Sequence, residues 1–167
     1  HRAGLYAPCY GVFGGAGLAQ LFEANEDQKD RYLYPTLRGE KHGFFGLTEP
    51  SGGSDPARAI QSSAVKDGDD WVLNGSKIFI SGADTADFGI VFARSDTSKG
   101  REGITCFIVD TDMPGFHVRR VVHTLRSTHY ATELQFDNLR VPAANVLGEP
   151  NRGFAIANDR LTRQRIP

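Results

Sequence analysis

The residues best suited to chemistry lie at positions 44–55, which read Phe-Phe-Gly-Leu-Thr-Glu-Pro-Ser-Gly-Gly-Ser-Asp. The first five are apolar and aromatic, as in a buried strand. Pro50 then fixes φ, Gly52 and Gly53 permit positive φ, and Asp55 can cap the next segment. A strand that enters such a turn can present amides and hydroxyls to a flat, polar or anionic ligand. An ordinary strand-to-loop connection explains the same residues, because one glycine-rich turn is a weak signal.

A second polar stretch runs from Asn74 to Ser81. The Asn-Gly pair that opens it is a strong signal for a two-residue type I′ hairpin. We therefore expect a strand at 71–73, a turn at 74–75 and a return strand at 77–81. Since side chains alternate along a strand, this register predicts an outer face of Lys77, Phe79 and Ser81 and a core face of Ile78 and Ile80.

The composition suits a soluble globular protein. A length of 167 residues allows one ordinary domain, or a middle domain with parts of its neighbours. The net charge of -1 gives no indication of nucleic acid or an anionic membrane, and no apolar run approaches the roughly 18 residues of a spanning helix. Cys9 and Cys106 lack metal-ligand spacing, so we expect reduced, structural, cytosolic thiols. The opening His1-Arg2 has neither Met nor a leader pattern, which suggests a fragment.

Helical signals flank a series of strand signals. Asn25 and Gln28 form a capping box, which predicts a helix that reaches Leu37 and ends at Gly39, and residues 1–24 should include a further helical segment. Extended segments follow at 44–48, 59–66, 71–73, 77–81, 88–94, 104–109, 116–121 and 133–141. Short strands separated by turn signals predict an antiparallel β-barrel or sandwich, and a helical pattern resumes at 153.

Segments spread over most of the chain resemble the signatures of the acyl-CoA dehydrogenase family, in the family's order. They are Leu47–Pro50 with Gly53–Asp55, Asn74–Ser81, Gly103–Val109 with Pro114-Gly115, and Phe136–Pro142 with Val146–Gly148. The resemblance implies an α+β fold with a central antiparallel β-barrel, the flavin- and substrate-binding domain, at 44–148. Residues 1–43 would end an N-terminal helical domain, and residues 149–167 would begin a C-terminal one.

The same resemblance implies a function. The family desaturates acyl-CoA thioesters at the α,β bond, and the hydride passes to N5 of FAD. It further implies an electron-transfer flavoprotein as acceptor, a homo-oligomer (dimer or tetramer), a role in fatty acid metabolism, and a cytoplasmic or, in a eukaryote, mitochondrial matrix location.

The resemblance also assigns roles to individual residues. Phe45, Leu47 and Thr48 would lie beside the isoalloxazine, with Thr48 donating to its pyrimidine edge. Flavin contacts would also come from Gly53, Ser54, Phe79, Ile80 and Ser81, where Phe79 replaces the family's usual Trp and Ser81 its Thr. Ser54 and Arg165 would contact the acyl-CoA. No catalytic base is assigned: the family's carboxylate is expected beyond residue 167, and Glu49 is expected to fix the turn instead. No metal site is expected.

One segment departs from the family pattern. Residues 123–130 fit poorly, with Arg126 one residue out of register, and His129 is expected to be an ordinary loop histidine. This mismatch leaves open a flavin oxidase or monooxygenase of the same fold. A non-catalytic β-barrel interaction module is a further alternative, although it would not need the hydroxyls and glycines of 44–55.

Overall fold

A computed structural model of the chain describes residues 18–123 and 131–163. Its helices are α1 (Leu18–Leu21), α2 (Glu26–Gln28), α3 (Tyr34–Leu37), α4 (Pro56–Ala59) and α5 (Gly153–Arg163), with a π-helical turn at Lys29–Leu33 and 3-10 turns at Thr97–Gly103 and Ala143–Asn145. Its strands are β1 (Gly43–Gly46), β2 (Ser63–Asp67), β3 (Asp70–Ser81), β4 (Phe88–Arg94), β5 (Ile104–Asp110), β6 (Phe116–Val121) and β7 (Ala131–Pro142). Several predictions concern residues outside these ranges: the N-terminal helical segment before residue 18, residues 124–130, Cys9 and Arg165.

The strands form one 7-stranded sheet in the order β1-β4-β2-β3-β7-β6, with β5 on the far side of β4. Most neighbours are antiparallel, but β1 runs parallel to β4, and β2 meets β4 in a parallel bridge. The α+β class is therefore confirmed, and the sheet is mixed. The sequence could not show this because β1 and β4 are joined by a long connection that contains β2 and β3.

The predicted hairpin at Asn74-Gly75 is wrong. β3 runs unbroken through both residues, and the hairpin lies earlier, where Asp67 pairs with Asp70 around Gly68 (φ 61°). β3 stays extended there because it is paired with β2 on one side and with β7 on the other. Gly75 has a different role: a Cβ at this position would lie 2.4 Å from the Ser62 hydroxyl. The glycine permits close packing of two segments.

The predicted alternation along β3 is also wrong in part. Lys77 pairs with Leu134 and Ile80 pairs with Thr132, so two β3 residues lie opposite one β7 residue, as in a β-bulge. The bulge, residues 78–79, holds Phe79 at a φ of 59°. Lys77 is consequently buried rather than on the outer face, and Ile78 is only half-buried. Ile80 enters the core as predicted, while Phe79 and Ser81 remain exposed.

Two apolar clusters lie on opposite faces of the sheet. One includes Val91, Phe107 and Leu134, and the other includes Ile90 and Phe92 with side chains of the N-terminal helices and α5. β4 and β5 are thus buried on both faces, which explains why their sequences are continuously apolar.

The elements that flank the sheet are fixed by local contacts. The predicted capping box is present, since the Asn25 side chain accepts from the Gln28 amide at 2.9 Å. Asp55 precedes α4 but makes no side-chain cap bond. Of the extended segment predicted at 59–66, Ala59 belongs to α4, and the strand β2 begins only at Ser63. β6 shows no inward–outward alternation, because only Phe116 is buried on this edge strand.

Of the described helices, none has the length and apolar character needed to cross a membrane.

Candidate functional site

The two sequence segments singled out for chemistry meet in the structure. The Ile78 amide, in the β3 bulge, donates to the Thr48 carbonyl at 3.0 Å. Thr48 in turn lies against the glycine-rich turn, where a Cβ on Gly53 would be 3.6 Å from the Thr48 methyl group. The turn after β1 and the end of β3 therefore lie side by side, and we call Thr48, Phe79 and Ser81 on these two segments the Thr48–Ser81 surface.

This surface combines an aromatic ring with free hydroxyls. The Phe79 side chain is 58% exposed, and Ser81, the last residue of β3, is also exposed. Thr48 is half-buried at the edge. Within the described ranges, the hydroxyls of Thr48 and Ser81 make no hydrogen bond to another residue. An exposed ring next to unpaired donors suits a planar polar ligand.

A buried ion pair lies beneath the surface. Lys77 Nζ is 2.6 Å from Glu49 Oε1, and the two side chains are 0% and 3% exposed. Glu49 also accepts from the amides of Gln61 (2.6 Å) and Ser62 (3.1 Å), which confirms the expectation that it fixes the turn. Sequence reasoning missed this pair. A lysine inside an apolar strand was the available signal, because a buried lysine needs a partner.

The remaining predicted residues divide by burial. Leu47 and Ile80 are 6% and 2% exposed, so their side chains belong to the core. The Phe45 ring is half-buried and packs edge-on against Phe92, with 5.1 Å between ring centroids. Ser54 is exposed on the turn.

A second polar network, which the sequence did not indicate, joins the N-terminal helices to the sheet. The Tyr32 hydroxyl donates to Asp110 at 2.9 Å and accepts from Arg31 at 2.8 Å, while Asn145 donates to the Ile108 carbonyl at 3.0 Å. Burial, followed by the bond to Asp110, raises the pKa of Tyr32. With each group satisfied, this network acts as structural support.

A cleft lined by residues 99–102 and 149–158 lies away from the Thr48–Ser81 surface. It encloses about 590 Å³ beside the start of α5. Its basic groups are already engaged, since Arg101 stacks on the Phe154 ring at 5.6 Å and Arg152 pairs with Glu149 at 3.6 Å. Its volume therefore does not outweigh the chemistry of the Thr48–Ser81 surface.

Comparison with known proteins supports the resemblance. A family model described as "Acyl-CoA dehydrogenase, middle domain" matches residues 44–139. The chain is 46% identical over 143 residues to the short-chain specific acyl-CoA dehydrogenase of Megasphaera elsdenii, and 43% identical over 142 residues to that of Clostridium acetobutylicum. Each alignment covers 84% of this chain and 37% of the relative.

Solved structures give the same result. The butyryl-CoA dehydrogenase of Megasphaera elsdenii superposes with a TM-score of 0.84 at 41% identity, covering 88% of this chain and 39% of that one. The chain thus spans less than two-fifths of the length of these relatives. Since the family model covers more than half of the chain, including both segments of the candidate site, we conclude that the chain belongs to the acyl-CoA dehydrogenase family.

Proposed function

We propose that this chain supplies the flavin-binding surface of an FAD-dependent acyl-CoA dehydrogenase that desaturates an acyl-CoA thioester. Members of the family are FAD-dependent flavoproteins. One observation supports the proposal: the Ile78 amide donates to the Thr48 carbonyl and so brings the β3 bulge next to the turn after β1. Thr48, Phe79 and Ser81 belong to these two neighbouring segments.

The residues present fit the cofactor. A flavin ring needs an apolar surface against its face and hydrogen-bond donors at its polar edge. Phe79 provides an exposed ring, and Thr48 and Ser81 provide hydroxyls that no other described residue uses. Gly53 and the exposed Ser54 add a turn that can approach a pyrophosphate closely.

Each residue then has a defined task. FAD, when bound, supplies the hydride acceptor at its N5 atom. Ser81 would donate to the ring near N5 and Thr48 to the pyrimidine edge, while Phe79 would shield one face from water. A donor at the ring stabilises the negative charge of the reduced state more than the oxidised state, and such a bond to a charged group is worth roughly 1.5–3 kcal/mol.

Glu49 is not available as the base that removes the α-proton. Its side chain is 3% exposed, and its carboxylate accepts from Lys77, Gln61 and Ser62. A general base must come within hydrogen-bond reach of the substrate proton. We therefore do not assign the role of base to Glu49.

The test uses the intact protein with bound FAD and its Ser81→Ala variant. Anaerobic mixing with butyryl-CoA should bleach the flavin in the wild type, and the variant should be reduced about tenfold or more slowly, since about 1.4 kcal/mol corresponds to a factor of ten. Ser98→Ala, in the Thr97–Gly103 turn outside the surface, is the matched control and should match the wild type. Equal rates in wild type and Ser81→Ala would refute the placement of the flavin.

Electron acceptance separates the proposed dehydrogenase from an oxidase or monooxygenase. We propose an electron-transfer flavoprotein as acceptor, so reoxidation of the reduced protein should be slow in oxygen and fast with that partner. Fast reoxidation by oxygen would instead favour the oxidase.

We further propose that the protein is a homo-oligomer of two or four subunits and is located in the cytoplasm or the mitochondrial matrix. Residues 44–148 would form its flavin domain, and Arg165 would contact the acyl-CoA.

A further inference from the structure

The buried ion pair between Lys77 and Glu49 connects three parts of the sheet. Lys77 Nζ donates to Glu49 at 2.6 Å and also to the Phe92 carbonyl in β4 at 2.5 Å. The Glu49 carboxylate holds the segment before β2 through the amides of Gln61 and Ser62. The turn after β1 is therefore tied to this segment, to β3 and to β4 by charge-assisted hydrogen bonds, which are shorter and stronger than neutral ones.

The pair lies next to both halves of the candidate surface. Glu49 directly follows Thr48, and Lys77 directly precedes the bulge at residues 78–79. The bond from the Ile78 amide to the Thr48 carbonyl closes this connection. A change in the separation of the two charged groups would therefore move the Thr48 hydroxyl relative to Phe79.

Stability alone does not explain the use of two charges here. Removing two charges from water is costly, and a well-packed apolar pair of similar volume often gives equal or greater stability. Fixed charges with directional hydrogen bonds instead define one geometry. The neighbouring Phe79 needs such support, because a non-glycine residue with a φ of 59° persists only when the surrounding structure holds it.

We propose that Lys77 and Glu49 are positioning residues whose ion pair sets the spacing between the Thr48 hydroxyl and the Phe79–Ser81 end of β3, so that both contact one planar ligand. The identity of the ligand, the flavin, rests on the proposed function. The positioning itself does not, and it can be measured without any ligand.

The two partners depend on each other for their charge states. Burial lowers the pKa of Lys77, and the carboxylate of Glu49 acts in the opposite direction. Glu49→Gln would therefore favour a neutral lysine, while Lys77→Met would leave a buried carboxylate with only its two amide donors. The double variant Glu49→Gln/Lys77→Met keeps similar volumes and leaves no unpaired charge.

Hydrogen–deuterium exchange of the intact protein without FAD tests the positioning. In Lys77→Met, the exchange rate of the Ile78 amide, divided by that of the β5 amides, should be at least tenfold higher than the same ratio in the wild type. The control is Leu139→Ala, a fully buried residue elsewhere in the sheet that pairs with Leu73. It lowers stability without touching the ion pair, so exchange should rise equally at Ile78 and in β5. If Lys77→Met fails to fold, the neutral double variant is measured instead, with the same expected result.

Titration with FAD tests the consequence for the ligand. The dissociation constant for FAD should rise at least tenfold in Lys77→Met, or in the double variant if Lys77→Met does not fold, and the visible absorption band of the bound flavin should shift. In Leu139→Ala the dissociation constant for FAD should change less than twofold. Unchanged exchange at Ile78, or an unchanged FAD dissociation constant in the folded double variant, would overturn the proposal. A wild-type protein that binds no FAD would refute the proposed function, and the exchange result would still decide the positioning.

Discussion

Replacing Phe79 by glycine should leave the protein more stable than replacing it by alanine, the reverse of the usual order in a strand. Phe79 has a φ of 59°, where a Cβ is close to the backbone. Both substitutions remove the same, mostly exposed ring, so they differ only in the Cβ and in backbone freedom.

The magnitude follows from two opposing contributions. A left-handed conformation costs a residue with a Cβ about 1–2 kcal/mol, which glycine avoids. Glycine loses more backbone entropy on folding, about 0.5–1 kcal/mol relative to alanine. We therefore expect Phe79→Gly to exceed Phe79→Ala by about 0.7 kcal/mol in the free energy of unfolding.

Val65 provides the matched control. It lies in β2, is 63% exposed, and does not have a positive φ. There, Val65→Gly should be less stable than Val65→Ala by about 0.5–1 kcal/mol. We therefore subtract the free energy of unfolding of the alanine variant from that of the glycine variant at each position. This difference should be larger at 79 than at 65 by about 1–2 kcal/mol, the cost of the left-handed conformation.

Urea unfolding measures this difference. The chain has a single tryptophan, Trp71, which is 8% exposed in the core, so its fluorescence reports loss of the sheet. If the free energy of unfolding falls by about 2 kcal/mol per molar urea, the difference between the glycine and alanine midpoints should be larger at 79 than at 65 by about 0.5–1 M. If the glycine variant is less stable than the alanine variant by the same amount at 79 as at 65, Phe79 does not have a positive φ. The β-bulge at residues 78–79, which forms part of the candidate surface, would then be refuted.

Three further substitutions test the fold and its charges. Gly89→Ala should destabilise the protein by about 1–3 kcal/mol in urea unfolding, because its Cβ would lie 2.0 Å from the buried ring of Phe44, whereas a tolerated alanine would contradict this packing. Asn25→Ala should cost about 1 kcal/mol through loss of the helix cap, seen as a lower urea midpoint. Hydrogen bonding to Arg120 holds the pKa of Glu133 below its ordinary value of about 4.3, so its stabilising effect is present above that pH and is lost as the pH falls through the folded-state pKa. The stability advantage of the wild type over Glu133→Gln at about pH 7, measured from urea midpoints, should therefore shrink as the pH falls below about 4.3, and an advantage that stays constant would refute the pairing.

Local sequence signals predicted the structure correctly where the deciding contacts are themselves local. The Asn25–Gln28 capping box joins residues three apart. The strands at 88–94 and 116–121 have the predicted bounds, and the apolar run at 88–94 is explained by burial of that strand on both faces. The ordered motifs also identified the family, because several short segments in one order are far more specific than any one of them.

The tertiary structure decided the features that depend on distant partners. Asn74-Gly75 favours a turn locally, yet pairing with β2 and β7 on both sides keeps it extended. The bulge that exposes Phe79 arises from register against β7, which lies far along the chain at Ala131–Pro142. The partner of Lys77 is Glu49, separated from it by 28 residues. Local periodicity describes one strand at a time, whereas register, bulges and buried charge pairs are set by the free energy of contacts between strands.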